Sequence, residues 1–321
     1  MTAAAGADAG GTPPIQVVLG PCDDMRAEVF VRVASSGTAI TLTGSLSGPR
    51  CRRAITLPVT APLVDQGGGL ARAILTEPSF WTPELPNLYR LQVQMSDGER
   101  GAAICDRLVG LRRLGVKGRS FWLDGRRWVV RGTWCDAGSF AAATLREMAA
   151  AAMIADPPAG ILTSADEVGV AILAVLRDTA GRVLDPGQTA DRVAAWAAHP
   201  SVVAAILPEA MTCAEARDRA AEVRRLKGTM LLGWVVDGMR PPPEFPAGID
   251  FLVVTLPRGG VPEEAWRSAT PRVPLVAWRR EADPGGSARS GCDALQAALA
   301  AWGLAAGVER LPWDWSGYLV S

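Results

Sequence analysis

Histidine is almost absent from this chain, and the chemistry that depends on it is largely excluded. The single histidine, His199, cannot supply a metal site that needs several imidazole ligands, and any Ser-His-Asp triad would have to use this one residue. Because His199 stands directly before Pro200, we interpret it as a capping or packing residue. The sequence predicts neither a cofactor nor a metal site.

Three further absences limit the class of protein. The six cysteines show no Cys-x-x-Cys spacing, which excludes a zinc knuckle or a dithiol redox motif and favours free thiols. The longest apolar runs, 168–176 and 297–308, are shorter than the ~20 residues that span a bilayer. Residues 1–14 lack the basic start and apolar core of a secretory signal. We therefore expect a disordered tail over 1–14, no transmembrane segment, and a cytoplasmic protein whose membrane contact, if any, is peripheral.

No charge of one sign dominates, because 33 basic residues balance 33 acidic ones. This balance excludes the overall positive field expected of a nucleic-acid-binding protein. One local excess of arginine includes Arg112, Arg113, Arg126 and Arg127. A solvated hairpin and linker explains this run, and an anion or headgroup site is the alternative.

The first third of the chain alternates apolar and polar residues with a period of two. In one example, the residues Ala27, Val29, Val31 and Val33 alternate with Glu28 and Arg32. Glycine and proline clusters separate such segments at the spacing of an all-β fold. This pattern predicts an immunoglobulin-like β-sandwich over residues 15–117.

From residue 118 onward the pattern changes to alternating β-rich and alanine-rich runs. Asp124-Gly125 predicts a tight hairpin turn, since both residue types tolerate positive φ. The predicted strands are 128–132, 159–163, 170–176, 202–207, 229–236, 251–256, 273–278 and 304–309. The predicted helices are 141–154, 189–198, 214–226 and 292–302. Eight such repeats predict a compact, trimmed (β/α)8 TIM barrel over 118–321.

Several segments together resemble glycoside hydrolase family 2, the group of β-galactosidases, β-glucuronidases and β-mannosidases. The matching segments are Phe80-Trp-Thr-Pro-Glu-Leu-Pro-Asn-Leu-Tyr89, Val109-Gly-Leu-Arg-Arg113, Phe121-Trp-Leu-Asp-Gly and Trp196-Ala-Ala-His-Pro-Ser-Val-Val203. The resemblance implies an immunoglobulin-like domain followed by a TIM barrel. The jelly-roll domain with which this family normally begins has no counterpart before residue 15.

The resemblance also implies a pair of catalytic carboxylates, of which this sequence keeps one. The family's Asn-Glu at the end of the fourth barrel strand corresponds to Pro208-Glu209, so Glu209 is the counterpart of the acid/base. The family's nucleophile on the seventh strand falls at Arg279, and a guanidinium cannot attack an anomeric carbon. Glu281, two residues further on, is a weak substitute. We therefore expect no catalytic residues, with Glu209 vestigial.

Tryptophan is abundant, with eleven residues. Trp278, Trp313 and Trp315 fall at or beyond strand ends on the nominal active face of the barrel. We predict that they form part of an interaction surface, together with the arginines of the basic run. A remnant sugar pocket and a protein contact both fit this pattern.

These observations lead to one expectation with two alternatives. The leading hypothesis is a non-catalytic, glycosidase-like structural or interaction protein, an extrinsic subunit of a larger assembly that could dock on the cytoplasmic face of a membrane complex. Its partners would be other protein subunits and not nucleic acid. The alternatives are an active retaining β-glycosidase that uses Glu209 as its acid/base, and a glycan-binding module.

Overall fold

The computed structural model describes residues 15–33, 40–96, 102–178, 181–226, 230–280, 287–304 and 311–321. The chain divides into two compact units, Met1–Arg112 with Ala194–Pro200, and Arg113–Val193 with Ser201–Ser321. The tail predicted over 1–14 lies outside the described residues. Among the helices of the described ranges, none is long and apolar enough to cross a membrane.

The first unit is an antiparallel sheet of seven strands that folds over one apolar core. The strands follow the order β1-β2-β5-β4-β3-β6-β7 across the sheet. Their bounds are β1 Ile15–Cys22, β2 Arg26–Val33, β3 Thr41–Arg50, β4 Val59–Gly67, β5 Leu70–Thr76, β6 Leu88–Ser96 and β7 Ala102–Val109. The predicted alternation holds, because Ala27, Val29, Val31 and Val33 of β2 are all buried. The antiparallel β-sandwich is therefore confirmed.

The family-like segment between β5 and β6 contributes core residues to this unit. Trp81 and Tyr89 are fully buried. The hydroxyl of Tyr89 accepts a hydrogen bond from the Ser79 amide at 2.8 Å, and the side-chain amide of Asn87 donates to the Phe80 carbonyl at 3.0 Å. The segment therefore stabilises the sandwich through burial and through hydrogen bonds to the backbone.

The second unit is a closed barrel of eight parallel strands, which confirms the predicted barrel. Its strands are β11 Val130–Trp134, β12 Ala151–Ala155, β13 Ile172–Val175, β14 Val202–Leu207, β15 Leu231–Asp237, β16 Phe251–Leu256, β17 Leu275–Arg279 and β18 Gly317–Val320. Its helices are α1 Ala142–Glu147, α2 Ala159–Val168, α3 Pro186–Trp196, α4 Cys213–Arg225, α5 Ala265–Ser268 and α6 Ala288–Leu304, with a 3-10 turn at Ala137–Ser139. Since α3 runs past Val193, its last residues belong to the first unit.

Two of the predicted elements are wrong. The predicted helix 141–154 is instead the short helix α1 followed by the strand β12, and the predicted strand 159–163 lies inside helix α2. Residues 151–155 form a strand because β12 pairs with both β11 and β13. This pairing, which closes the barrel, overrides the helix propensity of alanine. The eighth strand is β18, whereas most of the predicted segment 304–309 lies outside the described residues.

A small sheet closes the amino-terminal end of the barrel. Its strands, in the order β10-β9-β8, are β8 Leu114–Lys117, β9 Ser120–Leu123 and β10 Arg126–Trp128. The predicted hairpin turn is present, with Asp124 and Gly125 both at positive φ. The ring of Phe121 contacts that of Phe251 edge to face, with centroids 5.2 Å apart. The open rim therefore lies at the opposite end, where the strands terminate.

Candidate functional site

The carboxyl ends of the parallel strands bring together side chains that are far apart in sequence. Residues that end or follow the strands β11, β13, β14, β15 and β17 line two adjoining cavities. This is the end of a TIM barrel at which active sites form. The first cavity has a volume of about 420 Å³ and the second about 300 Å³, and both include Glu209.

Glu209 follows β14, a strand whose six residues are all buried. Continuous apolar sequence is typical of a parallel barrel strand with both faces covered, which is why Glu209 emerges only at the rim. The loop that carries it ends in a capping box. The Thr212 hydroxyl accepts from the Glu215 amide at 3.3 Å, and the Glu215 carboxylate accepts from the Thr212 amide at 2.8 Å. These bonds fix the start of helix α4, whose cap residue Thr212 lies three residues after Glu209.

Both carboxylate oxygens of Glu209 have partners. Oε2 lies 2.7 Å from Nη2 of Arg280, which donates to it, and Oε1 lies 3.3 Å from the Thr255 hydroxyl. Arg280 directly follows β17, and Thr255 is near the end of β16. The carboxylate therefore faces a cation that follows β17, the seventh strand of the barrel, across the mouth from β14.

The predicted position of this cation is wrong by one residue. Arg279 is buried, with 6% of its surface exposed, and its Nη2 donates to the Gly260 carbonyl at 3.3 Å. Trp278 and Arg280 line the first cavity, and Arg279 between them does not. Successive side chains of an extended segment point to opposite sides, which explains this alternation. Glu281, the proposed substitute nucleophile, lies outside the described residues.

The described lining of the first cavity contains one carboxylate. That carboxylate is Glu209, and its charged neighbours there are Arg177 and Arg280. Asp237 lines the second cavity, where its Oδ1 accepts from the Met239 amide at 2.9 Å and its Oδ2 lies 3.4 Å from Nε of Arg240. Within the described lining of both cavities, each carboxylate thus has a basic partner.

Two tryptophans form one wall of the first cavity. The rings of Trp134 and Trp278 stack with centroids 5.7 Å apart and an interplanar angle of 15°. The guanidinium of Arg280 lies 4.7 Å from the Trp278 ring centroid. Since Trp278 contacts both of these groups and is only 9% exposed, most of its surface is already covered.

The other two tryptophans of the predicted interaction surface are also buried. Trp313 and Trp315 are 3% and 7% exposed. Their rings pack edge to face at 5.2 Å, and Trp302 of helix α6 lies 6.4 Å from Trp313. Their position at or beyond strand ends predicted an exposed surface, but they form an apolar cluster instead. They therefore do not present a surface to a partner in this structure.

The four arginines of the predicted surface fall into two groups. Arg112 donates to the Pro200 carbonyl, and Arg113 forms an ion pair with Asp124 at 2.6 Å. Arg126 and Arg127 are exposed on β10. Only the second pair is available for an intermolecular contact.

A thiol nucleophile at the rim is disfavoured. Cys135 directly follows β11 and is buried, which raises the pKa of its thiol to about 11, with a smaller contribution from Asp136. The thiolate is the reactive form of cysteine, so Cys135 is inert at neutral pH. In the part of the chain that the structure describes, no group of three or more His, Cys, Asp or Glu could hold a metal ion.

Sequence reasoning missed three residues of this site. They are Trp134, Arg177 and Arg280, which line the first cavity. Each stands at or within two residues of a strand end. That position is the one signal by which they could have been found.

Comparison with known proteins gives a local match in sequence and an extensive match in structure. No protein-family model matches the chain. A β-galactosidase of Leuconostoc mesenteroides is 34% identical over 55 residues, which are 17% of this chain and 5% of that protein. The β-D-glucuronidase structure for Dictyoglomus thermophilum superposes with a TM-score of 0.64 at 16% identity, covering 95% of this chain and 61% of that chain.

The ligand-free β-glucuronidase from Ruminococcus gnavus is equally similar. It gives a TM-score of 0.69 at 15% identity, again over 95% of this chain and 61% of its own. This chain therefore spans about three-fifths of the length of these solved structures. At this level of identity the likeness establishes a shared fold, and it confirms the resemblance to glycoside hydrolase family 2 at that level.

Proposed function

We propose that this chain, which has the fold of β-glucuronidases, is a non-catalytic glycosidase-like protein that serves as an extrinsic subunit of a larger assembly. The observation that carries the proposal is the ion pair between Glu209 and Arg280. A retaining glycosidase needs a second carboxylate about 5 Å from the acid/base to attack the anomeric carbon. Here the partner that faces Glu209 is a guanidinium, which has no lone pair for that attack.

The same ion pair removes Glu209 from the position of a proton donor. Its Oε2 accepts from Arg280 and its Oε1 from Thr255, so protein donors already engage both oxygens. A general acid must lie within hydrogen-bond reach of the atom that it protonates. We expect the rim to bind ligands without cleaving them.

The surface that we assign to partner binding is the exposed basic part of the small sheet. Lys117, Arg119, Arg126 and Arg127 are exposed there, and the Lys117 ammonium lies 5.3 Å from the Trp122 ring centroid. Among the described residues, Arg119, Arg126 and Arg127 form no ion pair with a carboxylate. An acidic protein surface would complement this face, since opposite charges steer association and fix orientation.

A cytoplasmic location belongs to the same proposal. Cys51, Cys135, Cys213 and Cys292 have free thiols. Thiols persist without pairing in a reducing compartment, whereas secreted proteins tend to form disulfides. Docking on the cytoplasmic face of a membrane complex fits the basic face and this thiol chemistry.

The active glycosidase is the rival, because Glu209 occupies the rim position after the fourth barrel strand. A panel of aryl β-glycosides, including glucuronides and galactosides, separates the two. We expect the wild type to release no more aryl alcohol than the Glu209→Gln variant. Turnover that Glu209→Gln abolishes would overturn the non-catalytic assignment.

The partner role has its own experiment. The native protein, purified from its source under mild conditions, is expected to elute from size exclusion as part of a larger complex. Charge reversal by Arg126→Glu with Arg127→Glu should release it as a monomer. The matched control is Arg217→Glu on helix α4, which reverses an exposed charge away from this face. A wild-type protein that elutes alone would contradict the role.

A further inference from the structure

Arg177 is a cation of the first cavity whose charge no carboxylate balances among the described residues. It stands two residues after β13, lines the cavity, and its Nε is buried without a hydrogen-bond acceptor. A buried guanidinium nitrogen that lacks an acceptor is unfavourable, and most buried polar groups in proteins are paired. The site therefore favours a ligand that supplies an acceptor.

The charges of the lining have the same implication. Arg177 and Arg280 contribute two positive charges and Glu209 contributes one negative charge, so the net charge of the lining is one positive. Glu209 pairs with Arg280 and accepts from Thr255, and among the described residues it forms no ion pair with Arg177. One negative charge on a ligand would neutralise the cavity.

The remaining walls are apolar and of suitable size. The indole of Trp134 is partly exposed, and Val175, Pro208 and Val235 add aliphatic surface beside it. Small-molecule sites are typically cavities of about 300 to 1,000 Å³ lined by apolar groups with a few polar ones. The volume of about 420 Å³ falls within this range.

We propose that this cavity binds a small organic acid whose carboxylate pairs with Arg177 and whose planar or aliphatic body lies along Trp134. A guanidinium matches a carboxylate through two parallel N–H···O bonds. A single carboxylate is preferred to a phosphate because it brings the one charge that the lining lacks. The binding is non-covalent and leaves the Glu209–Arg280 ion pair in place.

This inference goes beyond the proposed function and does not depend on it, because binding is measured without turnover. Isothermal titration calorimetry of the full chain with benzoate, indole-3-acetate and glucuronate tests it. The first two acids carry a planar apolar body and the third carries a sugar ring. Comparing their affinities therefore shows which kind of carboxylic acid the cavity prefers. Benzamide, indole-3-acetamide and methyl β-glucoside are the uncharged matches of the three acids. We expect at least one acid to bind about tenfold or more tightly than its uncharged match.

Variants assign the binding to Arg177. Arg177→Gln should weaken binding of the preferred acid by about tenfold or more. Arg177→Lys should give an intermediate affinity, because it keeps the charge and loses the planar guanidinium that forms two parallel hydrogen bonds. Arg127→Gln, an exposed arginine at the other end of the barrel, should bind as the wild type does. Circular dichroism checks that each variant is folded. If Arg177→Gln does not fold, Trp134→Ala tests the same cavity in its place. The proposal is overturned if none of the three acids binds, or if Arg177→Gln or, where it does not fold, Trp134→Ala binds them as the wild type does.

Discussion

Glu209 and Arg280 lie 71 positions apart in sequence, and their side chains meet at 2.7 Å across the rim of the barrel. Glu209 leaves the fourth strand and Arg280 leaves the seventh, so the contact requires the closed barrel. The side chains of Glu209 and Arg280 are 30% and 51% exposed. The pair therefore determines the electrostatics of the rim more than it determines the stability of the fold.

A charge series at position 280 tests this distinction. Arg280→Gln is expected to lower the free energy of unfolding by less than about 1 kcal/mol, because exposed ion pairs contribute about 0.2 to 1 kcal/mol. Arg280→Glu should be more destabilising at pH 7, since it places a second carboxylate against Glu209. That difference should shrink towards about pH 4, where carboxylates take up protons. Urea unfolding at both pH values measures it, and a difference independent of pH would contradict the contact.

Trp278 is expected to behave as a core residue and not as a sugar platform. Trp278→Ala should lower the free energy of unfolding by about 3 to 5 kcal/mol, because it removes a buried indole that packs on Trp134. Trp122→Ala, on the partly exposed face of the small sheet, is the control and should cost less. Thermal unfolding of both variants is the measurement. A folded, fully stable Trp278→Ala that has lost glycan binding would refute the packing role.

Asp156 makes the stability depend on pH in a defined direction. Burial raises the pKa of its carboxyl above 3.8, against an opposing contribution from Arg192 and with a further rise from Asp178. A group with a raised pKa contributes stability that is present below its unfolded pKa and is lost as the pH rises through its folded pKa. Asp156→Asn resembles the protonated acid. Its stability relative to the wild type should therefore increase as the pH rises from about 3 to 7. Melting temperatures of both proteins across this range would show it, and a gain by the wild type would reverse the sign.

The cap of helix α4 should carry a measurable share of stability. Thr212→Ala removes the hydroxyl that accepts from the Glu215 amide, and a lost cap typically costs about 1 kcal/mol. Thr212→Ser keeps the hydroxyl and should be close to the wild type. Urea unfolding of the two variants is the comparison. Equal losses in both would mean that the threonine methyl group, and not the cap, is responsible.

Most of the fold could be predicted from the sequence, because the signals that identify its strands lie within each segment. The strands β14 and β16 match their predicted bounds, because β14 is a run of six apolar residues and β16 is interrupted only by Thr255. The failures lie where alanine dominates. The segment Ala151–Ala155 has the composition of a helix and becomes a strand only because two neighbouring strands pair with it.

Only part of the candidate site could be predicted from the sequence. Glu209 could be placed because its position depends on a strand end and a family pattern. Its partner Arg280 could not be placed. A shift of one residue moves a side chain to the other side of an extended segment, and the sequence alone does not determine which residues face the cavity. Arg177 was missed for a related reason, because an arginine after a strand has no motif that distinguishes it from a solvated one.

The capping box couples the rim to a backbone amide that can be observed directly. The Glu215 N–H is held by Thr212, three residues beyond Glu209, so opening of the first turn of helix α4 would release both the amide and the loop that orients the carboxylate. Deuterium uptake at Glu215 should then follow the opening equilibrium of the barrel mouth. An occupant that seats against Pro208 and Glu209 would slow this exchange, whether or not any bond in that occupant is ever broken.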